Sequence, residues 1–214
     1  MKILKKKVLI FDLDGVLLDS SINMKLSWEK VQNKFDLEDI KFGMYFKHIG
    51  RPFFDILSSI GIHKQKKKIY NTYKNESIKQ IKKVTFYKDT IKVLQILKKN
   101  KFIMCIVTSK DTLRTKMFLK NNSKFFKYIQ CQDTSFKGKP YPDKINYIIN
   151  TLNLDRKNFV YIGDTNIDYK AAKNSKIDFI HATWGYGKKY NYKFSAHKIT
   201  DLTKIIKFNK NIVD

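Results

Sequence analysis

Short apolar runs recur along the chain and predict buried β-strands. The clearest is Val8–Phe11, four consecutive strand-forming residues that end directly before Asp12. A continuous apolar run of this length is typical of a strand covered on both faces within a parallel sheet. Further runs predict four more strands, at residues 102–107, 128–131, 159–162 and 177–181.

Helical periodicity occupies the intervals between the later runs. Asp89 is predicted to cap a helix that ends at Asn100 and whose inward face carries Val93, Leu94 and Leu97. Asp143 is predicted to cap another, with an inward face of Ile145, Ile148, Ile149 and Leu152. Strand and helix therefore alternate from about residue 86 onward, which predicts an α/β fold with a doubly wound parallel sheet.

Residues 18–85 lack this alternation and are predicted to form an all-helical insert. Helical spacing recurs first at Met24, Trp28, Val31 and Phe35. It recurs again at Phe54, Leu57 and Ile60, with Gly61 as a stop, and residues 64–81 read as a polar helix. We expect an α/β core formed by residues 1–17 and 86–214, with residues 18–85 as a helical cap.

The composition is strongly basic, with 44 Lys and Arg against 19 Asp and Glu and a net charge of +25. Such a balance raises the hypothesis of a basic nucleic-acid-binding protein. Only three of the basic residues are arginine, however, and the lysines are spread over the whole chain. We therefore expect a solvated basic surface and no nucleic-acid partner.

Several further classes are excluded by composition. Two cysteines, without a C-x-x-C pair, exclude a disulfide scaffold, and we expect Cys105 and Cys131 to be inert core thiols. The apolar stretch of residues 8–18 is interrupted by Asp12 and Asp14 and is too short to span a membrane. We expect a cytoplasmic protein without a membrane partner. The histidines are interpreted as surface or loop residues: His48, His63, His181 and His197.

Polar side chains follow the predicted strands at the points where the strands end. In open parallel sheets ligands bind beyond the carboxyl ends of the strands, so these side chains should converge. Three carboxylates crowded together are costly unless a cation lies among them, and oxygen ligands favour a hard ion, Mg²⁺ above others. The converging residues are Asp12, Asp14, Thr108, Ser109, Lys139, Asp164 and Asp168.

These residues lie in four ordered motifs that resemble those of the haloacid dehalogenase superfamily, in its phosphoglycolate phosphatase-like branch with a helical (C1-type) cap. The motifs read FDLDGVLLDS at residues 11–20, VTSK at 107–110, KPYPD at 139–143 and GDTNID at 163–168. A later TWGYG at residues 183–187 resembles a loop that often follows the fifth strand in this branch. The resemblance implies a Mg²⁺-dependent phosphatase that hydrolyses a small phosphomonoester.

The resemblance also implies roles for the matching residues. Asp12 would be the nucleophile that forms an aspartyl phosphate, and Asp14 would be the general acid and base. Mg²⁺ would be held by the side chains of Asp12 and Asp164 and by the backbone carbonyl of Asp14. Thr108, with the backbone amides that follow it, and Lys139 would bind the phosphoryl group, with Ser109 as a further substrate contact.

Two assignments remain open between alternatives. Asp168 is expected either to hold a metal-bound water, to brace Lys139 and its loop, or only to stabilise a helix N-terminus. Arg51 lies in a turn of the cap that related enzymes direct at the substrate. It would either clasp a carboxylate or second phosphate, or form a surface salt bridge.

The substrate also remains open. 2-Phosphoglycolate is the default of the family, and a sugar-phosphate phosphatase or phosphomutase is the alternative. Mutases of this superfamily carry a cap histidine where this chain has Met24, which disfavours that activity. Dehalogenases lack the second aspartate, which is present here as Asp14.

Overall fold

The computed structural model describes residues 3–208. Its strands are β1 (Leu4–Lys6), β2 (Val8–Phe11), β3 (Leu18–Asp19), β4 (Thr85–Phe86), β5 (Ile103–Val107), β6 (Tyr128–Gln130), β7 (Phe159–Gly163), β8 (Asp178–Ala182), β9 (Ser195–Ala196) and β10 (Ile206–Phe208). Its α-helices are α1 (Ser21–Phe35), α2 (Phe42–Phe46), α3 (Phe53–Ser59), α4 (Lys66–Lys79), α5 (Thr90–Lys99), α6 (Thr112–Leu119), α7 (Asp143–Leu152), α8 (Asn166–Asn174) and α9 (Leu202–Ile205).

A six-stranded parallel sheet forms the centre of the molecule, in the order β6-β5-β2-β7-β8-β9. The central strand β2 pairs with β5 on one side and β7 on the other, so that Phe11 lies level with Ile106 and Ile162. All four residues of β2 are buried, as expected for a strand covered on both faces. The predicted α/β fold with a parallel sheet is confirmed.

Two apolar cores lie on opposite faces of the sheet because successive side chains of a strand point in opposite directions. Leu9 and Phe11 face a core that includes apolar residues of α5 and α9. Val8 and Ile10 face the other core, which includes apolar residues of α7 and α8. Helices on both faces are what a doubly wound sheet requires.

Helices α1 to α4 form the cap, with an apolar core of their own. The stacked rings of Trp28 and Tyr45, with centroids 4.7 Å apart, lie in this core between α1 and α2. The cap is connected to the sheet by a two-residue antiparallel ribbon of β3 and β4, which the sequence did not predict. The predicted domain boundaries at 17/18 and 85/86 fall at this ribbon, while residues 1–2 and 209–214 of the predicted core lie outside the described residues.

Both predicted aspartate caps are wrong. Asp89 precedes α5, but its backbone is left-handed (φ 64°) and its side chain makes no capping hydrogen bond. A capping residue normally has an extended backbone, which aims its side chain at the first free N–H groups. Asp143 is already the first residue of α7, after Pro142, so its carboxylate interacts favourably with the helix dipole without capping the helix.

Helix α3 is turned by one residue from its predicted orientation. The structure buries Phe53, Ile56 and Leu57 and leaves Phe54 45% exposed. The helix begins at Phe53, and the i, i+3, i+4 pattern from Phe53 describes an apolar face as well as the predicted one does.

Two expectations from composition are met within residues 3–208. None of the helices there has both the length and the apolarity needed to span a lipid bilayer. Cys105 and Cys131 are both buried and free. Burial raises the pKa of the Cys105 thiol to about 12, which keeps it in the unreactive thiol form.

Candidate active site

The predicted site residues begin where three neighbouring strands end. Asp12 follows β2, Thr108 follows β5 and Asp164 follows β7. Because β5, β2 and β7 are adjacent and parallel, the three residues emerge at one edge of the sheet. Gly15 allows the first loop to approach the third, since a Cβ at this position would lie 2.3 Å from Oδ2 of Asp164. Its φ of 83° is also one that glycine adopts without strain.

Lys139 lies between two of the carboxylates. Its Nζ is 2.9 Å from Oδ1 of Asp12 and 2.7 Å from Oδ1 of Asp168, and all three side chains are buried. Burial alone would lower the pKa of Lys139, but the charges of Asp12 and Asp168 raise it above its usual value. The lysine therefore carries a full positive charge beside Asp12.

Asp168 makes hydrogen bonds with both of its carboxylate oxygens. Oδ1 accepts from Lys139, while Oδ2 accepts from the backbone N–H and the hydroxyl of Thr165, at 3.0 and 2.6 Å. Thr165 and Asp168 together form a capping box at the start of α8. Two of the alternatives for Asp168 thus coexist: it braces Lys139 and it stabilises the helix N-terminus.

Asp12, Asp164 and Asp168 form a cluster in which one oxygen of each lies within 4.8 Å of the others. Burial and the neighbouring carboxylates raise the pKa of Asp12 to about 7, although Lys139 opposes the shift. Burial, Asp168 and Asp12 also raise the pKa of Asp164 well above its usual value. The cluster is therefore electrostatically unfavourable without a further positive charge.

The orphaned oxygen of Asp164 indicates where such a charge fits. Oδ2 accepts from the backbone N–H of Tyr186 at 2.7 Å, whereas Oδ1 is buried and has no hydrogen-bond partner among the described residues. A buried acceptor left without a partner costs about 1–3 kcal/mol, and more when it is charged. Carboxylate oxygens are the ligands of hard divalent cations, so these residues fit such an ion.

His181 contacts the turn that carries Asp164, after β7. Its interpretation as a surface or loop residue is wrong. It lies on β8 and is only 1% exposed. Its Nε2 lies 3.2 Å from the backbone carbonyl oxygen of Asp164. Strand β8 pairs with β7, so a side chain on β8 can reach the turn that follows β7.

Asp14, two residues after Asp12, is held by two donors on one oxygen. Its Oδ1 accepts from the hydroxyl of Ser20 at 2.6 Å and lies 3.0 Å from Nζ of Lys110. Lys110 is 6% exposed, with its ammonium group 4.5 Å from the ring centroid of Phe118. Lys110 is assigned no role from the sequence beyond its place in the VTSK motif, although its position two residues after Thr108 at a strand end is a usable signal.

The two predicted hydroxyl residues differ in their contacts. Thr108 is buried at the cavity, and its Oγ1 accepts from the backbone N–H of Lys110 at 3.2 Å, which leaves its hydroxyl proton available. Ser109 donates its hydroxyl to the backbone carbonyl of Gly50 in the cap at 2.6 Å. Ser109 therefore joins the cap to the core in this structure, where we had predicted a substrate contact.

Arg51 lies at the wall of the cavity beneath the cap. Its Nη1 donates to the hydroxyl of Ser59 at 3.1 Å. Arg51 forms no ion pair with any of residues 3–208. The predicted alternative of a surface salt bridge is therefore not observed among these residues. The remaining donors of the guanidinium group are free to meet an anion.

Arg114 is a second cavity arginine, which sequence reasoning counted but did not assign to the site. It is 5% exposed, its Nε donates to Oδ2 of Asp111 at 2.6 Å, and its guanidinium lies 5.5 Å from the ring of Tyr73 in the cap. Asp111 also accepts from the hydroxyl of Tyr70 at 3.2 Å. These polar contacts hold the cap against α6, and the three-residue spacing of Asp111 and Arg114 was the available signal.

Cap and core together line a partly open cavity of about 60 Å³ beside Asp12. Apart from Arg51, the cap side of the cavity is aromatic and apolar. The core side carries the other charged residues described above. The cap contributes Met24, Tyr45, Phe53, Ile56 and Tyr73.

The haloacid dehalogenase-like hydrolase family model matches residues 9–182, which include all four motifs and the cap. The chain therefore belongs to the haloacid dehalogenase-like hydrolase family, as its resemblance implied. The site is accordingly that of a hydrolase.

Individual relatives are similar over almost their whole length. A phosphoglycolate phosphatase of Aquifex aeolicus is 26% identical over 205 residues, which cover 94% of this chain and 96% of the relative. A pyrophosphatase PpaX of Oceanobacillus iheyensis is 26% identical over 211 residues, with 94% and 95% covered. The fold is shared with a haloacid dehalogenase-like family hydrolase of Streptococcus pneumoniae, with a TM-score of 0.82, 24% identity and coverage of 93% and 97%.

Proposed function

We propose that this protein is a Mg²⁺-dependent phosphatase that hydrolyses a small phosphomonoester through an aspartyl phosphate on Asp12. The observation that carries the proposal is the position of Asp12. Its carboxylate lies 2.9 Å from the ammonium group of Lys139 and shares a cluster with the partnerless oxygen of Asp164. A carboxylate needs nearby positive charge before it can approach a phosphate dianion. Lys139 supplies it on one side of Asp12, and a cation bound at Asp164 would supply it on the other.

The first half-reaction transfers the phosphoryl group to Asp12. A carboxylate oxygen of Asp12 forms a bond to phosphorus while the bond from phosphorus to the leaving oxygen breaks. Asp14, protonated at this stage, gives its proton to the leaving oxygen and releases an alcohol. Because Asp14 follows two residues after Asp12 and both line the cavity, one substrate can contact both.

The second half-reaction returns the enzyme to its starting state. Asp14, now a carboxylate, takes a proton from a water molecule whose oxygen forms a bond to phosphorus. The bond between phosphorus and Asp12 breaks, and inorganic phosphate leaves. Asp12 is again a carboxylate and Asp14 is again protonated, so that one water is consumed for each ester hydrolysed.

Lys139 and Thr108 would stabilise the charge on the phosphoryl oxygens. Thr108 and Lys139 both line the cavity beside Asp12. Removing one such preorganised donor typically costs about 3–4 kcal/mol of transition-state stabilisation. Lys139 also favours the ionised form of Asp12, because it opposes the effect of burial on the pKa of Asp12.

The Mg²⁺ ion would be held by the side chains of Asp12 and Asp164 and by the backbone carbonyl of Asp14. When bound, it supplies positive charge to the phosphoryl oxygens. Asp168 already uses both carboxylate oxygens in hydrogen bonds, so we assign it to bracing Lys139. The buried Oδ1 of Asp164, which lacks a partner, is the atom that gains most from an ion.

The substrate we favour is a small phosphomonoester such as 2-phosphoglycolate, whose leaving group is an anion. The cavity beneath the cap is small, and Arg51 offers free guanidinium donors at its wall. The names of the Aquifex and Oceanobacillus relatives also refer to small phosphate compounds. A phosphomutase is disfavoured because Met24, which lines the cavity, has no group that could transfer a proton.

A screen against phosphorylated metabolites tests the proposal. The panel contains 2-phosphoglycolate, pyrophosphate, sugar phosphates and p-nitrophenyl phosphate, each with Mg²⁺ and with EDTA. We expect Mg²⁺-dependent release of phosphate by the wild-type protein, its loss in Asp12→Asn and its retention in Asp39→Asn, a matched change at an exposed carboxylate. Absence of turnover with every phosphoester and divalent cation would refute the proposal.

A further inference from the structure

Tyr186 belongs to the 183–187 loop, to which the proposed mechanism gives no role. Its hydroxyl accepts a hydrogen bond from the backbone N–H of Ser20 at 2.6 Å and donates to Oδ1 of Asp19 at 3.1 Å. Asp19 ends β3, and Ser20 leads directly into α1. Tyr186 thus holds the segment through which the chain enters the cap.

Ser20 passes this contact on to Asp14. The Ser20 hydroxyl donates to Oδ1 of Asp14 at 2.6 Å, on the oxygen that also pairs with Lys110. Only one residue therefore separates the Tyr186 hydroxyl from the carboxylate of Asp14. Ser20 is fully buried, so water does not reach it in this structure to replace a lost hydrogen bond.

The rest of Tyr186 contacts both parts of the molecule. Its ring packs against Phe46 in the cap, with centroids 5.2 Å apart. Its backbone N–H donates to Oδ2 of Asp164 in the core. The position of the Tyr186 hydroxyl therefore depends on both contacts, which are made together only while the cap lies against the core as it does here.

We propose that Tyr186 is a positioning residue that aligns Asp14, through Ser20, for proton transfer to the leaving group. The inference rests on the proposed phosphatase function and adds a determinant of its acid step. Without the hydroxyl, the Ser20 N–H loses its acceptor and the Ser20 side chain is free to turn away from Asp14. Phosphoryl transfer from a leaving group that needs no proton would be affected much less, because Tyr186 contacts neither Lys139 nor Thr108 among the interactions of residues 3–208.

Leaving groups separate these effects. An alkoxide leaves only if Asp14 protonates it, whereas p-nitrophenolate is a stable anion that leaves without a proton. We therefore measure kcat/KM for Tyr186→Phe with an alkyl phosphomonoester, 2-phosphoglycolate first, and with p-nitrophenyl phosphate, because kcat/KM covers phosphoryl transfer and not the later hydrolysis step that also uses Asp14. We expect kcat/KM to fall by about 10- to 100-fold for the alkyl ester and by less than about threefold for p-nitrophenyl phosphate.

Three further variants serve as checks on Tyr186→Phe. Ser20→Ala removes the same link and should show the same difference between substrates, so it carries the test if Tyr186→Phe fails to fold. The double variant should lose no more than either single variant, because both changes break one chain of contacts. Tyr190→Phe, at a residue 47% exposed in the neighbouring segment, should leave both substrates unchanged.

Each outcome decides the matter. An equal loss with both substrates, or no loss with either, in a folded Tyr186→Phe protein would overturn the inference and leave the phosphatase proposal standing. A wild-type protein that hydrolyses no phosphoester of the panel with any divalent cation refutes the phosphatase proposal, and the inference falls with it.

Discussion

The ammonium nitrogen of Lys139 lies 2.9 Å from Oδ1 of Asp12, with both side chains almost completely buried. A buried ion pair of this kind is a poor source of stability, because desolvation of the two charges offsets their attraction. A catalytic role explains this pair better. The lysine favours the charged form of Asp12 and brings positive charge to the position of a phosphate.

Replacing Lys139 with methionine should destabilise the protein strongly at neutral pH. The change leaves Asp12 and Asp168 buried without their cation, and breaking a buried pair in this way costs about 3–5 kcal/mol. Burial raises the pKa of Asp12 and Lys139 opposes that shift, so without Lys139 the pKa of Asp12 should rise further above its unfolded value. The penalty is therefore present at pH 7 and decreases as the pH falls and Asp12 is protonated in the folded state.

Urea denaturation of Lys139→Met at pH 7 and pH 5 measures both effects, with Lys67→Met at an exposed position of α4 as the control. A loss below about 1 kcal/mol at pH 7, or a loss that grows toward pH 5, would contradict this view of the network.

Mg²⁺ should raise the melting temperature of the wild-type protein, because an ion that binds only the folded state stabilises it by about 2.7 kcal/mol at 100 times its Kd. Asp164→Asn should remove this effect. In EDTA the same variant should melt a few degrees above the wild type, since it removes a charge that Asp12 and Asp168 make unfavourable. Differential scanning calorimetry with EDTA and with MgCl₂ tests both statements. A Mg²⁺ shift that survives in Asp164→Asn would place the ion elsewhere.

Lys144, which lies outside the active site, should make the free energy of unfolding depend on pH. It is 2% exposed at the start of α7, with Nζ 3.3 Å from Oε1 of Gln132, and burial together with nearby Lys139 lowers its pKa to about 8. The unfolded value is about 10.4, so the unfolded state binds the proton more tightly. Burial of the charged lysine therefore costs about 3 kcal/mol below pH 8, and this cost disappears as the pH rises from 8 to 10.5.

Lys144→Met should accordingly increase the free energy of unfolding at pH 7, and the gain should shrink to near zero by pH 10.5. Chemical denaturation across this range measures the difference, with Lys67→Met again as the exposed control. A gain that stays constant with pH would show that packing, and not the charge of Lys144, determines the result.

Arg51→Ala should raise KM for 2-phosphoglycolate by about tenfold or more, since a hydrogen bond to a charged group contributes about 1.5–3 kcal/mol. The KM for p-nitrophenyl phosphate should change by less than about twofold, because its leaving group offers the guanidinium no anion. Steady-state kinetics with both substrates make the comparison within one variant. Equal changes for the two would indicate that Arg51 binds the phosphoryl group or supports the cap, without selecting the leaving group.

The sequence predicted the buried centre of the fold well because that information is local. Val8–Phe11 is a strand by composition alone, and the order of strands and helices after residue 86 follows from periodicity. The ribbon of β3 and β4 and the short edge strands β9 and β10 contain two or three residues each, too few for any periodic signal. Their pairing depends on partners distant in the chain, which periodicity does not report.

The same distinction applies to the site. Asp12, Thr108 and Asp164 follow strands that are adjacent in the sheet, so the rule for parallel sheets brings them to one edge. The roles of Lys110, Arg114 and His181 depend on which neighbour each side chain meets across a loop, a helix or a strand pair. The hydrogen bond of Ser109 also depends on a distant segment, because its hydroxyl donates to the backbone carbonyl of Gly50 in the cap.

The central claim is that Asp12 accepts the phosphoryl group, and trapping the enzyme during turnover tests it most directly. The wild-type protein is mixed with Mg²⁺ and its best substrate, quenched in acid within one turnover, digested and analysed by mass spectrometry. We predict the mass of one phosphoryl group on the peptide that contains Asp12, labile to base and absent from Asp12→Asn. Turnover with no phosphoryl group on the enzyme, or with one on a residue other than Asp12, would contradict the mechanism.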